Sequence, residues 1–68
     1  MKLSARNQIK GKVTEVRLGA VAAQVKVDIG GGNIVNSMIT VDSVKELGIE
    51  QGSDVTVLIK STEVMLAV

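Results

Sequence analysis

The chain has 68 residues, of which 46% are apolar, and carries a net charge of +1 with no Cys, His, Pro or aromatic residue. One small domain over residues 1–68 is all that this length supports; with disulfides and most zinc, haem and iron–sulfur ligation excluded, oligomerisation is the remaining route to stability. The same absences leave no Ser-His-Asp triad, no thiolate and no side chain that normally titrates near neutrality, so an enzyme is not expected.

β-Branched residues dominate, which favours strands. Ile9, Gly11 and Val13 share one face, and the apolar phase then slips to Val16 and Leu18. A one-residue slip turns a strand over, so the pattern predicts a β-bulge near Thr14–Glu15. Leu18-Gly19-Ala20 marks a turn, after which Val21, Ala23, Val25, Val27 and Ile29 alternate with Gln24, Lys26 and Asp28 as a second strand. Gly30-Gly31-Gly32-Asn33 predicts a hairpin loop leading into a third strand, Ile34–Val41. Its apolar residues fall on both faces, with Ile34 and Met38 on one and Val35, Ile39 and Val41 on the other. Such a strand needs cover on both sides, a second pointer to a subunit interface.

The period changes over Asp42–Gly48. Ser43 and Glu46 are spaced as a capping box with Ser43 as N-cap, Val44 and Leu47 share a helical face, and Gly48 is a stop, which predicts a helix of one to two turns. Glu50–Ser53 reads as a turn. Val55, Val57 and Ile59 then alternate with Thr56, Leu58 and Lys60 as a fourth strand, and Val64, Leu66 and Val68 form a fifth. The expected fold is all-β with one short helix, a five-stranded OB-like β-barrel. Its open edges call for pairing with neighbouring chains, so assembly through shared strands into an oligomer is expected.

The small net charge conceals an asymmetry. Residues 1–17 hold Lys2, Arg6, Lys10, Lys12 and Arg17 against Glu15, a net of +4, whereas residues 18–59 come to −3 and the tail from Lys60 is neutral. For Lys10, Lys12 and Arg17 a solvated strand edge that resists aggregation is the favoured explanation. Two segments are chemically denser. Ser4-Ala5-Arg6-Asn7 puts a hydroxyl, a guanidinium and an amide at the start of the first strand, and Lys60-Ser61-Thr62 puts an ammonium and two hydroxyls after the fourth. In extended chain Ser4 and Arg6 point to one side, while Lys60 and Ser61 point oppositely unless the chain turns there. A fork of donors, a point charge and adaptable hydroxyls together suit a small tetrahedral oxyanion. Each group also has a plain alternative use, as a turn residue, a surface ion pair or a loop.

Ser4-Ala5-Arg6-Asn7-Gln8-Ile9-Lys10-Gly11-Lys12-Val13 resembles the N-terminal signature of the molbindins, the small molybdenum-pterin-binding (Mop) proteins. Thr40-Val41-Asp42-Ser43-Val44-Lys45-Glu46-Leu47-Gly48 and Ile59-Lys60-Ser61-Thr62-Glu63-Val64-Met65 resemble two further marks of that family, so the likeness runs over essentially the whole chain. It implies a cytoplasmic OB-like barrel assembled as a hexamer, a trimer of dimers, that binds molybdate or tungstate at subunit interfaces and stores or buffers it, with no further cofactor. By matching motif residues, one chain contributes Ser4, Arg6, Lys60 and Ser61. The neighbouring chain contributes Thr40 and Ser43, with Val41 and Ala5 as backbone donors. The family also has anion sites near the threefold axis, to which no residues are assigned here. Its name mentions a pterin, but these motifs favour the bare oxyanion.

The chemistry agrees with that implication. Molybdate carries no proton at neutral pH, so a site of donors alone suits it, whereas hydrogen phosphate also wants an acceptor. Sulfate differs mainly in size, so its rejection depends on the dimensions of the cavity. Three other functions compete. A nucleic-acid-binding OB module is disfavoured by the missing aromatics and low charge. A purely structural assembly domain predicts the oligomer without saturable anion binding. A sensor domain cut from a molybdate-responsive regulator predicts the same binding, and the start at Met1 and the end in a strand favour a free-standing protein over it. Met1-Lys2-Leu3 leads into polar residues and the apolar runs are far shorter than the ~20 residues of a membrane span, so no membrane partner is expected and the cytoplasm is the default location.

Overall fold

The computed structural model describes residues 4–68. Met1–Leu3, and with them the expectation about the chain start and the charge of Lys2, lie outside the described residues. The element order is β1 (Asn7–Leu18), β2 (Ala22–Gly30), β3 (Asn33–Thr40), α1 (Val41–Leu47), β4 (Asp54–Ile59) and one 3₁₀ turn, Ser61–Glu63. The strands form one antiparallel sheet in the order β3-β2-β1-β4.

The chain is therefore mostly β with one short helix, as expected, but the sheet has four strands and is open rather than a closed five-stranded barrel. Val64–Val68, expected as the fifth strand, is unpaired and exposed. Its alternation is real, but among the described residues no strand of this chain takes it.

The inner face follows the predicted pattern. Val13, Ala23, Val25 and Val27 are buried beneath Val44 of α1, with Val16, Ile29, Ile39, Val55 and Val57 packed around them. The register shifts between Val13 and Glu15, which is the bulge implied by the apolar slip. It keeps Val16 on the core side while Leu18 stays exposed. The turn into β2 closes with the Gly19 amide donating to Ala22 O at 2.9 Å, so β2 begins one residue later than expected and Val21 is left outside. At the β2–β3 hairpin Gly30 pairs with Asn33, and the two loop residues Gly31 and Gly32 have φ of 62° and 78°. Positive φ at both loop positions is the type I′ geometry that fits the twist of paired strands.

The helix starts earlier than Ser43. Thr40 is the N-cap, its hydroxyl accepting from the Ser43 amide at 3.0 Å, and Val41 is the first helical residue rather than the end of β3. At the other end Gly48, at φ 65°, donates to Lys45 O and Ile49 donates to Val44 O at 3.0 Å. These are the paired bonds of a Schellman stop. The following turn joins Glu50 and Ser53 by two bonds, the Ser53 amide to Glu50 O and the Glu50 amide to Ser53 Oγ.

Cover on the outside is incomplete. Met38, Val21, Leu47, Met65 and Leu66 are all at least 69% exposed. The isolated chain exposes 5431 Å², about 1,300 Å² more than a self-contained monomer of its mass. Its radius of gyration of 12.4 Å likewise exceeds the roughly 11 Å expected for 68 residues. No described helix is long and apolar enough to cross a membrane.

Candidate oxyanion site

Register brings the two chemically dense segments together. Asn7 at the start of β1 pairs with Ile59 at the end of β4, and the Asn7 side-chain amide donates to Ile59 O at 3.1 Å. Immediately beyond this latch, Ser4, Arg6, Lys60, Ser61 and Thr62 line one open depression of about 310 Å³. The chain turns after Lys60: the Glu63 amide donates to Lys60 O at 2.9 Å and the Val64 amide to Ser61 O at 3.4 Å. That turn removes the strict alternation of a strand, so Lys60 and Ser61 both reach the same hollow. Lys60 lies outside β4, one residue beyond the strand end.

The depression holds two cationic groups and three hydroxyls, and no carboxylate lines it. Arg6 offers several donors in a plane, Lys60 a compact charge, and the hydroxyls orient to suit. All five side chains are exposed, so one chain supplies a wall rather than an enclosure. Ala5 is half-buried beside them, and its carbonyl accepts from the Gln8 side chain at 3.5 Å. Among the described residues no three His, Cys, Asp or Glu side chains gather to hold a metal cation.

Thr40, Val41 and Ser43 stand elsewhere. Thr40 pairs with Ala22, next to the Leu18–Ala23 pair that ends β1, so these residues lie at the far end of the ladder and on the far edge strand. None of the three lines the depression formed by Ser4, Arg6, Lys60, Ser61 and Thr62. A single chain thus carries two polar clusters, only one of which lines the depression. The second cluster is internally bonded: Thr40 donates its hydroxyl to Ser43 Oγ at 2.8 Å while accepting from the Ser43 amide. Ser43 Oγ–H remains as a donor. The Val41 amide donates to Val21 O at 2.8 Å within the chain.

Two residues matter more than the sequence indicated. Thr62 joins the depression, and the adjacency of Lys60, Ser61 and Thr62 already signalled it. Asn7 acts through the backbone of Ile59 to hold the depression's two sides in register, and only the pairing of β1 with β4 reveals that. The solvated strand edge expected for Lys10, Lys12 and Arg17 is corrected: β1 is an inner strand paired with β2 and β4, and the three side chains are exposed on its outer surface, Lys12 pairing with Asp54 at 3.4 Å and Arg17 with Glu15 at 3.3 Å.

Residues 3–66 match the TOBE domain family. Over 66 residues the chain is 50% identical to molybdenum-pterin-binding protein 1 of Clostridium pasteurianum, covering 97% of each. Among solved structures it resembles MopII from the same organism (48% identity, TM-score 0.91, 98% of this chain and 100% of that one). It also resembles a molybdate-binding protein from Sporomusa ovata (37% identity, TM-score 0.92, 98% of both chains). With a family match over nearly its whole length and relatives of its own size, the chain belongs to the TOBE-domain family and, within it, to the small molybdenum-pterin-binding (Mop) proteins.

Proposed function

We propose that the protein binds molybdate, and tungstate with it, as the bare oxyanion at interfaces between its own subunits, and so stores molybdenum in the cytoplasm. The observation that carries this reading is the gathering of Ser4, Arg6, Lys60 and Ser61 into one donor-lined depression, while Thr40 and Ser43 lie at the other end of the same sheet. A second subunit is what brings a Thr40–Ser43 cluster against a Ser4–Lys60 wall. Repetition of that contact builds a closed homo-oligomer, which we take to be a hexamer made as a trimer of dimers. The curled four-stranded sheet is then the OB-like core of one single-domain subunit. The relatives named for molybdenum-pterin or molybdate binding support the ligand class.

Arg6 and Lys60 offset the dianion's charge, and each charge-assisted bond contributes roughly 1.5–3 kcal/mol. The wall has two cations and no carboxylate, so the proton of hydrogen phosphate has only hydroxyl oxygens to accept it, a poorer match than a fully deprotonated dianion. Size selects against sulfate once the second chain closes the cavity.

The test is a calorimetric titration of molybdate into protein of known oligomeric state, with sulfate in large excess. Saturable binding near or above one anion per chain is expected, with tungstate competing. Heat that disappears in sulfate marks a generic anion patch, and no heat at all leaves a purely structural assembly domain; either result rejects the proposal.

A further inference from the structure

We propose that Asn7 is the positioning residue that makes the anion depression size-selective: by holding the Ile59 carbonyl it fixes Lys60 and Ser61 against Ser4 and Arg6. The inference rests on the anion-binding reading above and adds to it the residue on which discrimination between tetrahedral dianions depends.

Asn7 is out of pattern where it stands. It shares the inner face of β1 with Ile9, Gly11 and Val13, and its side chain is the one polar group in that row. A half-buried amide on an apolar face is tolerated when it is hydrogen-bonded. Its Nδ2 donates to Ile59 O at 3.1 Å, across 52 positions of sequence.

The bond falls where the sheet stops. Asn7 and Ile59 are the last paired residues at this end of β1 and β4, and every side chain lining the depression lies beyond them. Among the described residues, therefore, no ladder pair sets the gap between Ser4–Arg6 and the Lys60–Thr62 turn. Ser4, Arg6, Lys60, Ser61 and Thr62 are all exposed, so packing does not place them and backbone bonds must. Because the peptide unit is planar, fixing the Ile59 carbonyl oxygen also fixes the Lys60 nitrogen and Cα. On the far side of Lys60 the Glu63 amide donates to Lys60 O at 2.9 Å. Both carbonyls flanking the Lys60 Cα are thus bonded, one by the 3₁₀ turn and the other by Asn7.

Rigidity here decides selectivity as well as affinity. Molybdate and sulfate are both unprotonated tetrahedral dianions, so the charges of Arg6 and Lys60 act on them alike. Donors held at the spacing of the larger anion cannot all reach the smaller one, whereas donors free to close in can. Without the Asn7 bond the Lys60–Thr62 turn drifts at the end of β4 and can close on sulfate, while molybdate loses the spacing that fits it.

The test measures Kd for molybdate and for sulfate by calorimetry, on the natural chain and three variants at matched oligomeric state. Asn7→Leu keeps the side chain's size and removes the donor. Asn7→Asp is closer still in shape, and its added charge repels both dianions equally, so it cancels in the sulfate-to-molybdate ratio of Kd values. Thr14→Val is the control. Thr14 Oγ1 donates to Lys26 O at 3.3 Å, a bond of the same kind between β1 and β2, and Thr14 does not line the depression. The expected result is a ratio about 3- to 10-fold smaller in both Asn7 variants, the equivalent of one net hydrogen bond, and unchanged in Thr14→Val. A ratio preserved in both Asn7 variants, with the two affinities falling together, makes Asn7 a stability residue and overturns the proposal. A fall in Thr14→Val as large as in the Asn7 variants overturns it too. The natural chain keeps the two readings apart: no molybdate heat there rejects anion binding itself, whereas a selective natural chain with equally selective Asn7 variants rejects only the role of Asn7.

Discussion

Gly11 offers the sharpest test of the packing that positions the site. It faces inward on β1 opposite Val55, and a Cβ built there falls 2.5 Å from Val27 Cγ1, 2.9 Å from Asp28 O and 3.3 Å from Ile29 Cγ2. Neither of the two closest atoms yields easily. Val27 is 3% exposed and stiff about χ1, and Asp28 O belongs to the backbone of a paired strand. Gly11→Ala therefore forces strands apart or side chains off rotamer, at about 1–3 kcal/mol, against which lower chain entropy in the unfolded state returns ~0.4–1 kcal/mol. A net loss of roughly 1–2 kcal/mol is a large share of the ~3–10 kcal/mol available to a domain of this size, and lowers Tm by about 4–16 °C.

The assay is thermal unfolding at one fixed protein concentration, since an oligomer's midpoint moves with concentration. Adding Val27→Ala removes the closest contact and leaves the carbonyl, so the double variant should be less destabilised than the two single losses summed, by at least ~0.5 kcal/mol. A Gly11→Ala protein that melts at or above the natural chain's temperature refutes the close approach of β1 and β2 at this point. Strict additivity with Val27→Ala refutes the named contact.

Removing the Arg6 guanidinium by Arg6→Ala is expected to weaken molybdate binding about 10- to 150-fold, the equivalent of one charge-assisted bond, with little change in Tm because the side chain is exposed; an unchanged affinity by calorimetry excludes Arg6 from the site. Thr40→Ala removes the α1 cap and should cost about 0.5–2 kcal/mol in denaturant unfolding while Thr40→Ser costs far less; equal losses for both would show that the methyl group rather than the hydroxyl matters. Gly48→Ala places a side chain at φ 65° and should cost roughly 1 kcal/mol, read by the same unfolding curves. Glu15 bridges Arg17 at 3.3 Å and Lys26 at 3.6 Å on the open surface, so Glu15→Gln should change stability by under about 1 kcal/mol and by less still in high salt.

Features set by local chain chemistry were legible in the sequence. The slip from Val13 to Val16 located the bulge, the glycine run located the hairpin, and Gly48 located the helix stop, because each rests on backbone geometry within a few residues. The helix start was misplaced for a local reason too. Thr40 and Ser43 are both good caps three residues apart, and what decides between them is the β2–β3 pairing: it makes Thr40, opposite Ala22, the last strand residue, where its hydroxyl takes the Ser43 amide. The site divides in the same way. Its residue types could be read from Ser4–Asn7 and Lys60–Thr62, but their meeting depends on the register of β1 with β4, a pairing across 52 positions of sequence that the Asn7 latch records. The missing fifth strand follows a similar rule. Alternation over Val64–Val68 announces a strand, yet a pattern names no partner, and none of the strands described in this chain accepts it.

The separation of the two polar clusters has a thermodynamic consequence for the proposed storage role. If an anion is held only where one chain's Ser4–Lys60 wall meets another's Thr40–Ser43 end, each bound molybdate is also a bond between subunits. Binding and assembly are then linked, and each site at a free anion concentration one hundred times its Kd stabilises the assembled state by about 2.7 kcal/mol. The midpoint of thermal dissociation should rise with molybdate, and the affinity for molybdate should rise with protein concentration wherever free chains are present. A site contained within one chain produces the first effect on folding but not the second. Measuring affinity across a dilution series that spans dissociation therefore distinguishes a shared site from a private one: an affinity independent of dilution places the whole site on one subunit and leaves the Thr40–Ser43 pair as a helix cap alone.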